Sequence, residues 1–519
     1  MRVHLVPIAM VLSPVLAAGA TDFHVAAPPV GSDANPGSAA APLATIQAAA
    51  NRVAPGDTVI VRAGTYAGFN VGRGGVAGAA VTFRADTSSG PVVINAAAGS
   101  FNGTNHRARI NLDTVSHVVI DGFEVVGIAD QRTSKAGIRI VCPPGADFGD
   151  ITIRRVKSHH HGQWGLLSGH VSRITIEDSQ FHDNVSEHGV YLSNSGDGHI
   201  VRRCRIWGNS SNGIHLNSDA SQGGDGVMTS LTIEANIIHG NGIGSTFIDA
   251  SGVTRIVPGG GSGINCDGVR DSLIRNNLLH DNHASGISLY RIDGLLPASG
   301  NVIANNTIVN GSPLNTAARW CLNISDGSTN NTVFNNILLN HHGFRGSVFI
   351  TSDSLPGFMS DGNIVMDRFD PDGDGPTPTR TLAQWRSLTG QDEHSIAVPS
   401  VQWPSLFADA AGGDYRLAPD SAARDAGIAS LGATTAAGED LAGTPRPRGP
   451  AFDIGAYEYL DCPADFNRDG AIDPDDLGDY INCYFAPLPC SRADFNEDGQ
   501  SDPDDLGDFI NAYFDASTC

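Results

Sequence analysis

The chain has 519 residues, enough for one long solenoid or two to four ordinary domains, and a formal net charge of −23. Charged residues make up 17%, glycine numbers 62, and lysine occurs only at Lys135 and Lys157. A chain this acidic is not a general nucleic-acid binder, which needs a basic footprint.

Residues 1–20 read as a secretory signal. Arg2 and His4 precede the apolar run VPIAMVLSPVLA, and Ala18-Gly19-Ala20 fits a small-x-small cleavage site. No other apolar run is long enough to span a membrane. The mature chain is therefore expected to be exported, in the medium or at the cell surface, without a membrane span. Residues 31–66 follow as turn residues and then a short helix near 45–53. Ile46, Ala49, Ala50 and Val53 share one of its faces, and Thr45 is its N-cap. Pro55-Gly56-Asp57 ends the helix, and Thr58–Arg62 is a strand. Between 80 and 170, VTFRA, PVVINA, HVVIDGFEVVG and ITIRRVKSH are strand signals in less regular coils.

From 174 to 341 a pattern returns as ITIEDSQFHDN, IVRRCRIWGN, LTIEANIIHGN, SLIRNNLLHDN, NVIANNTIVN and NTVFNNILLN. Its anchors Ile176, Val201, Ile233, Ile274, Ile303 and Val333 are 25, 32, 41, 29 and 30 residues apart. Apolar–x–apolar triplets at such spacing predict a β-solenoid, one coil per copy, because no coil buries its inner face alone. Three residues after each anchor stand Ser179, Cys204, Asn236, Asn277, Asn306 and Asn336. Stacked about 4.8 Å apart, such amides bond from coil to coil. This column resembles the asparagine ladder of right-handed parallel β-helix proteins, the fold of pectate lyases and other polysaccharide-active enzymes. The 31–66 segment likewise resembles the N-terminal entry of secreted β-helix proteins, family 9 polysaccharide lyases included, where the helix plugs the open end. The fold class expected over 21–460 is thus all-β, a right-handed parallel β-helix with a helical N-terminal cap. Residues 361–460 lose the repeat and read as late coils plus a C-terminal cap, with LAQWRSL a short helix and DPDGDG at 370–375 a solvated turn.

The strand after each ladder turn (GVYLSNS, GIHLNSD, GINCDGV, GISLYRID, CLNISDG) alternates inward and outward residues. Cys266 falls on the inward side, and with Cys204 is read as a buried thiol. The outward set is Tyr191/Ser193, His215/Asn217, Asn265/Asp267, Ser288/Tyr290 and Asn323/Ser325, with Asp219, Arg291 and Asp293 beside it. Long insertions after Asn217 and Asn241 wall this face. A row of sugars is expected along it, bound by Tyr191, Asn217, Asn265, Tyr290, Asp293 and Asn323. Resemblance to polysaccharide lyases implies β-elimination on a uronate, with His215 or Arg291 as base and Asp219, Asp267 and Asp293 as calcium holders, so that activity needs Ca²⁺. A glycoside hydrolase using two of those carboxylates is the alternative. A non-catalytic glycan-binding adhesin is the third reading. A further outward column holds His159, His182, Trp207, His239 and His280, with His160, His161 and His188 nearby. Equal residues at rung spacing form a stack rather than a tetrahedral cage, so the column is read as surface stacking.

Residues 461–519 hold 15 acidic residues against Arg468 and Arg492, a net −13. ADFNRDGAIDPDDLGDYINCYF recurs 29 residues later as ADFNEDGQSDPDDLGDFINAYF. Hard oxygen ligands fall at calcium-loop spacing: Asp465, Asn467, Asp469, Ala471 (backbone), Asp473 and Asp476, then Asp494, Asn496, Asp498, Gln500 (backbone), Asp502 and Asp505. Gly470 and Gly499 take the sharp-turn position. The pair resembles a dockerin, a small α-helical EF-hand-like module, which implies a cohesin-like or cell-surface partner. Pro474-Asp475 and Pro503-Asp504 depart from the Ser/Thr-type contacts of cohesin-binding dockerins. Cys462, Cys483, Cys490 and Cys519 crowd the same exported segment, where disulfides are permitted.

Overall fold

The computed structural model describes residues 19–311, 319–371, 379–460 and, further on, 462, 464–467, 472–486, 490, 493–495 and 500–514. Residues 1–18 of the expected signal, 372–375 of DPDGDG, the ligands Asp469, Ala471, Asn496 and Asp498, and Cys519 lie outside the described residues.

Successive coils stack into three long parallel sheets. Among the described residues, sheet A has 12 strands, from Asp22–Val25 to Met359–Asp361, and sheet B has 12, from Gly64–Ala67 to Ile396–Ala397. Sheet C has 11, from Phe69–Val71 to Phe369–Asp370. Inward residues meet their equivalents one coil away, as in Ile176↔Val201, Val201↔Ile233 and Ile233↔Ile274. They join one continuous apolar core from Val25 to Trp385. A one-residue slip would turn every such side chain to solvent, so the register is tightly specified.

The turn between sheets A and B carries the amide ladder. Asn236 Nδ2 donates to Asn277 Oδ1 (2.9 Å), Asn277 to Asn306 (3.0 Å), Asn306 to Asn336 (3.0 Å) and Asn336 to Asn363 (3.1 Å). Each amide oxygen also accepts the preceding coil's backbone N–H, as Asn277 Oδ1 does from Asn236 at 3.0 Å. The residue before each ladder position is left-handed: Asn276, Asn305 and Asn335 have φ of 53°, 53° and 54°. Asn tolerates that region better than most residues, which explains the doubled Asn of the repeat. A second ladder runs through Asn184, Asn209, Asn241 and Asn282 at 2.7, 2.8 and 3.0 Å. It is the last Asn of the first four repeat copies, visible in the pattern but not read from it.

The ends are closed by helices. In α1 (Ile46–Ala50) Thr45 Oγ1 accepts the Ala48 N–H (3.1 Å), and Ile46, Ala49 and Ala50 are buried. At the other end α2 (Leu382–Thr389) lays the buried Trp385 ring on Phe369, centroids 5.1 Å apart. The segment 398–454 runs along the outside of sheet B. Leu278, Val309, Ile337, Leu339 and Ile364 point outward there and pack under Trp403, Leu406, Phe407, Tyr415 and Ile454. The expected C-terminal cap is thus divided between α2 at the end and a sheath along the side, because the late coils are apolar on both faces of sheet B.

In the C-terminal segment, α3 (Pro474–Tyr484) and α4 (Pro503–Phe514) pack through Tyr480 and Phe509, stacked at 4.0 Å. Cys483 and Cys490 form a disulfide and Cys462 is also disulfide-bonded, while Cys142, Cys204, Cys266 and Cys321 are buried free thiols. No helix among the described residues is long and apolar enough to cross a membrane.

Asn277→Ala strands the buried N–H of Asn236 and the amide of Asn236, and should lower stability by about 2–4 kcal/mol in urea unfolding. Gln222→Ala, on an exposed turn, should cost under about 0.5 kcal/mol. Equal effects would remove the ladder from the account.

Candidate functional site

The outer face of sheet C carries one side chain per coil in each of two columns. The pairings run Asn111, Arg139, Leu167, Tyr191, His215, Asn265, Ser288, Asn323 and Phe349. The second column runs Ser193, Asn217, Asp267 and Tyr290. Strand alternation places all of them outward, while Leu192, Leu216, Cys266 and Leu289 between them are buried.

Tyr191, His215 and His188 form one aromatic cluster. The Tyr191 and His215 rings stack at 5.0 Å, and His188 meets both edge-on, at 5.1 and 4.6 Å. His188 Nδ1 accepts the Asn212 N–H (3.2 Å), so its proton sits on Nε2, which faces His215 Nδ1 (3.0 Å) and Glu187 Oε2 (3.2 Å). These bonds assign the His215 proton to Nε2. Burial pushes His215 down to about 4 and His188 well below the usual imidazole range, so both rings are neutral at pH 7. Burial lifts the Tyr191 hydroxyl to about 12, and it stays protonated. Asn217 Nδ2 donates to the Tyr191 hydroxyl (3.3 Å) and to Asp293 Oδ2 (3.1 Å). In the next coils, Asn265 Nδ2 donates to the Tyr290 hydroxyl (2.6 Å), and Asn323 lies beyond Ser288 in the same column.

The three aspartates expected to hold calcium are engaged otherwise. Asp267 is 1% exposed. Its Oδ1 accepts the N–H groups of Ile292 (2.9 Å) and Gly294 (3.1 Å), and its Oδ2 that of Asp293 (2.8 Å). It fixes the 291–294 loop that walls the face. Asp219 caps a turn through the Ser221 N–H (2.8 Å) and bridges Gly294, while Asp293 receives Asn217. Among the described residues these carboxylates do not form a group of three metal-ligating atoms. The expected calcium holders are thus engaged with the 291–294 loop and its neighbours and are not gathered around one point. Arg291 is exposed on the same loop, with its backbone N–H near Asp326 Oδ2 at 3.5 Å.

Sequence reading missed the chemistry at the earlier end of the face. A pocket of about 170 Å³ is lined by His106, Arg107, Lys135, Arg139 and Trp164, at the head of the strand Ala136–Val141. Lys135 Nζ sits 5.0 Å from the Trp164 ring centre, with Glu187 as its acidic neighbour. Burial, then the charges of Arg107 and Arg139, lower the Lys135 ammonium below the usual lysine range. Arg139 is shared with Asn111 (2.8 Å) and Asp113 (3.1 Å). Glu187 adjoins this pocket; burial raises its carboxyl, against the Gln163 hydrogen bond and the Lys135 charge. Trp164 is 6.1 Å from Tyr191, so basic pocket and aromatic cluster are continuous. One signal pointed here: Lys135 is one of two lysines in the chain.

Four buried polar atoms along this face have no partner among the described residues: Gln163 Oε1, Trp164 Nε1, His215 Nε2 and Asn217 Oδ1. Native interiors satisfy nearly all such atoms, so these four are open to a hydroxyl-rich ligand or ordered water. A larger cavity, about 420 Å³, lies against sheet A under 437–443. Its arginines Arg202, Arg203 and Arg275 are paired with Glu177, Asp178 and Glu234, and it belongs to a different face.

The His215 ring should remain neutral down to about pH 4, followed by imidazole nitrogen NMR. Unfolded, it takes a proton near 6.5. The ring's contribution to stability is therefore complete above about pH 6.5 and lost as pH falls toward 4. A ring titrating near 6.5 in the folded chain would contradict the buried cluster.

A comparison with curated proteins finds no match. The fold is similar to that of pectate lyase Pel9A, at 18% identity over 85% of this chain and 96% of that one, with a TM-score of 0.52. A rhamnogalacturonan lyase (17% identity, 74% and 91%, TM-score 0.48) and a glycoside hydrolase (12%, 72% and 99%, TM-score 0.45) are more distant. The family described as "Pel9A-like, right handed beta helix region" matches residues 24–336, more than half of the chain. The chain belongs to the Pel9A-like right-handed β-helix family.

Proposed function

We propose that the chain is an exported lyase that cleaves uronate-containing polysaccharides by β-elimination along the outer face of sheet C. The basic pocket carries the reading: Lys135, Arg107 and Arg139 gather in a chain of net charge −23 and open onto a face of aromatic rings and orphaned polar atoms. Membership of a Pel9A-like family and fold likeness to a pectate lyase support a glycan ligand. Arg107 and Arg139 pair with the uronate carboxylate, which makes the adjacent carbon-bound proton acidic. The deprotonated form of Lys135 takes that proton, the electron pair forms the ring double bond, and the glycosidic C–O bond breaks. Glu187, whose carboxyl burial raises above the usual range, gives a proton to the leaving oxygen in its protonated form. Tyr191, His215, Asn217, Asn265 and Tyr290 bind neighbouring sugars, with His215 Nε2–H as donor. Cations of the protein do the work that calcium was expected to do at this face.

The raised Glu187 carboxyl also suits the acid of a hydrolase. Pectate, alginate and glycosaminoglycans separate the readings, followed at 235 nm for unsaturated uronate beside reducing ends. Lys135→Ala should lower unsaturated product about 10²–10⁴-fold. Activity should rise with pH on a limb below the ordinary lysine value of about 10.4, because the deprotonated amine is the base and its pKa is lowered. Reducing ends without 235 nm absorbance would establish hydrolysis, and glycan binding without either would leave an adhesin.

The C-terminal pair is proposed as a calcium-dependent module that docks the enzyme to a cohesin-like or cell-surface partner. Asp476 and Asp505 are fully buried. Asp476 accepts the N–H groups of Asn467 (3.0 Å) and Asp473 (2.9 Å), and Asp505 those of Phe495 and Asp502 (2.7 Å each). Buried carboxylates among other acidic oxygens are costly without a cation, and Ca²⁺ fits this donor set. Ile481, Phe485, Ile510 and Phe514, equivalent in the two copies, are exposed and offer an apolar docking face. Chelation should expose 461–519 to protease while the coils stay resistant. Equal protection with and without chelator would defeat the calcium reading.

A further inference from the structure

Outward from sheet B, one histidine leaves the aromatic stack. His159 and His182 end the strands Lys157–His159 and Gln180–His182 in adjacent coils and are paired in register. Their rings stack at 4.7 Å, 9° from parallel, and the stack continues through Trp207, His239 and His280. His160 has a left-handed backbone (φ 59°), which turns its ring edge-on to both neighbours, at 77° and 80°. One nitrogen from each of His159, His160 and His182 lies within 4.8 Å of the others, the one such group of ligand-type side chains among the described residues.

The outer partners of two of these rings set the tautomers a metal needs. His182 Nδ1 is 2.7 Å from Asp183 Oδ2, so its proton goes to the carboxylate and Nε2 keeps its lone pair. His182 is 6% exposed, and its Nε2 has no partner among the described residues. His159 Nε2 is 3.2 Å from Glu124 Oε1, which leaves His159 Nδ1 unprotonated, 2.6 Å from His160 Nδ1. Glu124 Oε1 is also 3.7 Å from Lys157 Nζ. His159 and His182 each give one ring proton to a carboxylate and keep a lone pair on the other nitrogen, as ligand histidines do with their outer shell. An ion would replace the His159–His160 contact, and the two stacked rings would turn to bring their lone pairs onto it.

We propose that His159, His160 and His182 bind one divalent transition-metal ion, Zn²⁺ in the first instance, with Asp183 and Glu124 orienting two of the ligands. Three imidazoles at about 2.0–2.1 Å leave a fourth, water-filled position on the exposed His160 side. The ion clamps two adjacent coils together, independently of the glycan face on sheet C.

The test uses the full chain with excess Ca²⁺ to saturate the C-terminal carboxylates, and Zn²⁺ added against a chromophoric chelator. One zinc per chain is expected, with His160→Ala and His182→Gln each weakening it at least 100-fold and Asp183→Asn about 10-fold. Zinc should raise the unfolding temperature of the native chain and leave that of His160→Ala unchanged. His160 is exposed, so an unaltered metal-free unfolding temperature in that variant shows that its fold is intact. No zinc uptake, or uptake that His160→Ala leaves undiminished, overturns the site.

Discussion

Parallel pairing of each coil with the next, about 4.8 Å away, is the constraint on which everything else in this molecule depends. It repeats the inner apolar residues into one core and forces the buried turns to satisfy their polar groups from coil to coil. The Asn236–Asn363 ladder does this with amides that give and receive along the axis. The same pairing sets the functional face, because residues from sequence-distant coils become neighbours at one rung's distance. Tyr191 and His215 stack because Val190–Ser193 and Ile214–Asn217 are adjacent strands in register.

The periodic part of the chain was legible for this reason. Column membership follows from counting, so the ladder, the inward set and the outward set of 190–325 could be written from sequence. The α1 cap was legible from local rules alone, through Thr45 and the apolar face behind it. What stayed hidden depends on partners that no spacing encodes. Asp267 stands in the outward column like its neighbours, yet three backbone N–H groups of a loop 25 residues later fill its carboxylate. The Lys135 pocket lies in the irregular coils, where the repeat does not fix which residues share a face. The sheath over sheet B was foreshadowed by TIVN and ILLN, whose apolar residues leave no polar face, but its path was not.

Electrostatics divide the chain. Two of the many acidic residues, Asp476 and Asp505, are fully buried in the C-terminal pair; in the calcium reading proposed for it, cation binding and folding are one event. Along sheet A, rows of arginine and carboxylate alternate between coils, as in Arg202–Glu177 and Arg275–Glu234 at 2.7 and 2.9 Å. Those charges are spoken for. At the head of Ala136–Val141 basic side chains gather, and Lys135 lies over the Trp164 indole with Glu187 nearby. In the proposed reading a polyanion repelled by the chain as a whole meets its complement there, and the salt dependence of binding should follow that local charge rather than the net value.

The central claim is that an acidic glycan lies along sheet C with a carboxylate in this pocket. A crystal structure of Lys135→Ala soaked with an oligouronide tests it most directly. The account predicts sugars along Trp164, Tyr191 and His215, with one carboxylate within ion-pair distance of Arg139 or Arg107. A glycan seated elsewhere, or lying on this face with its carboxylates turned to solvent, would contradict it.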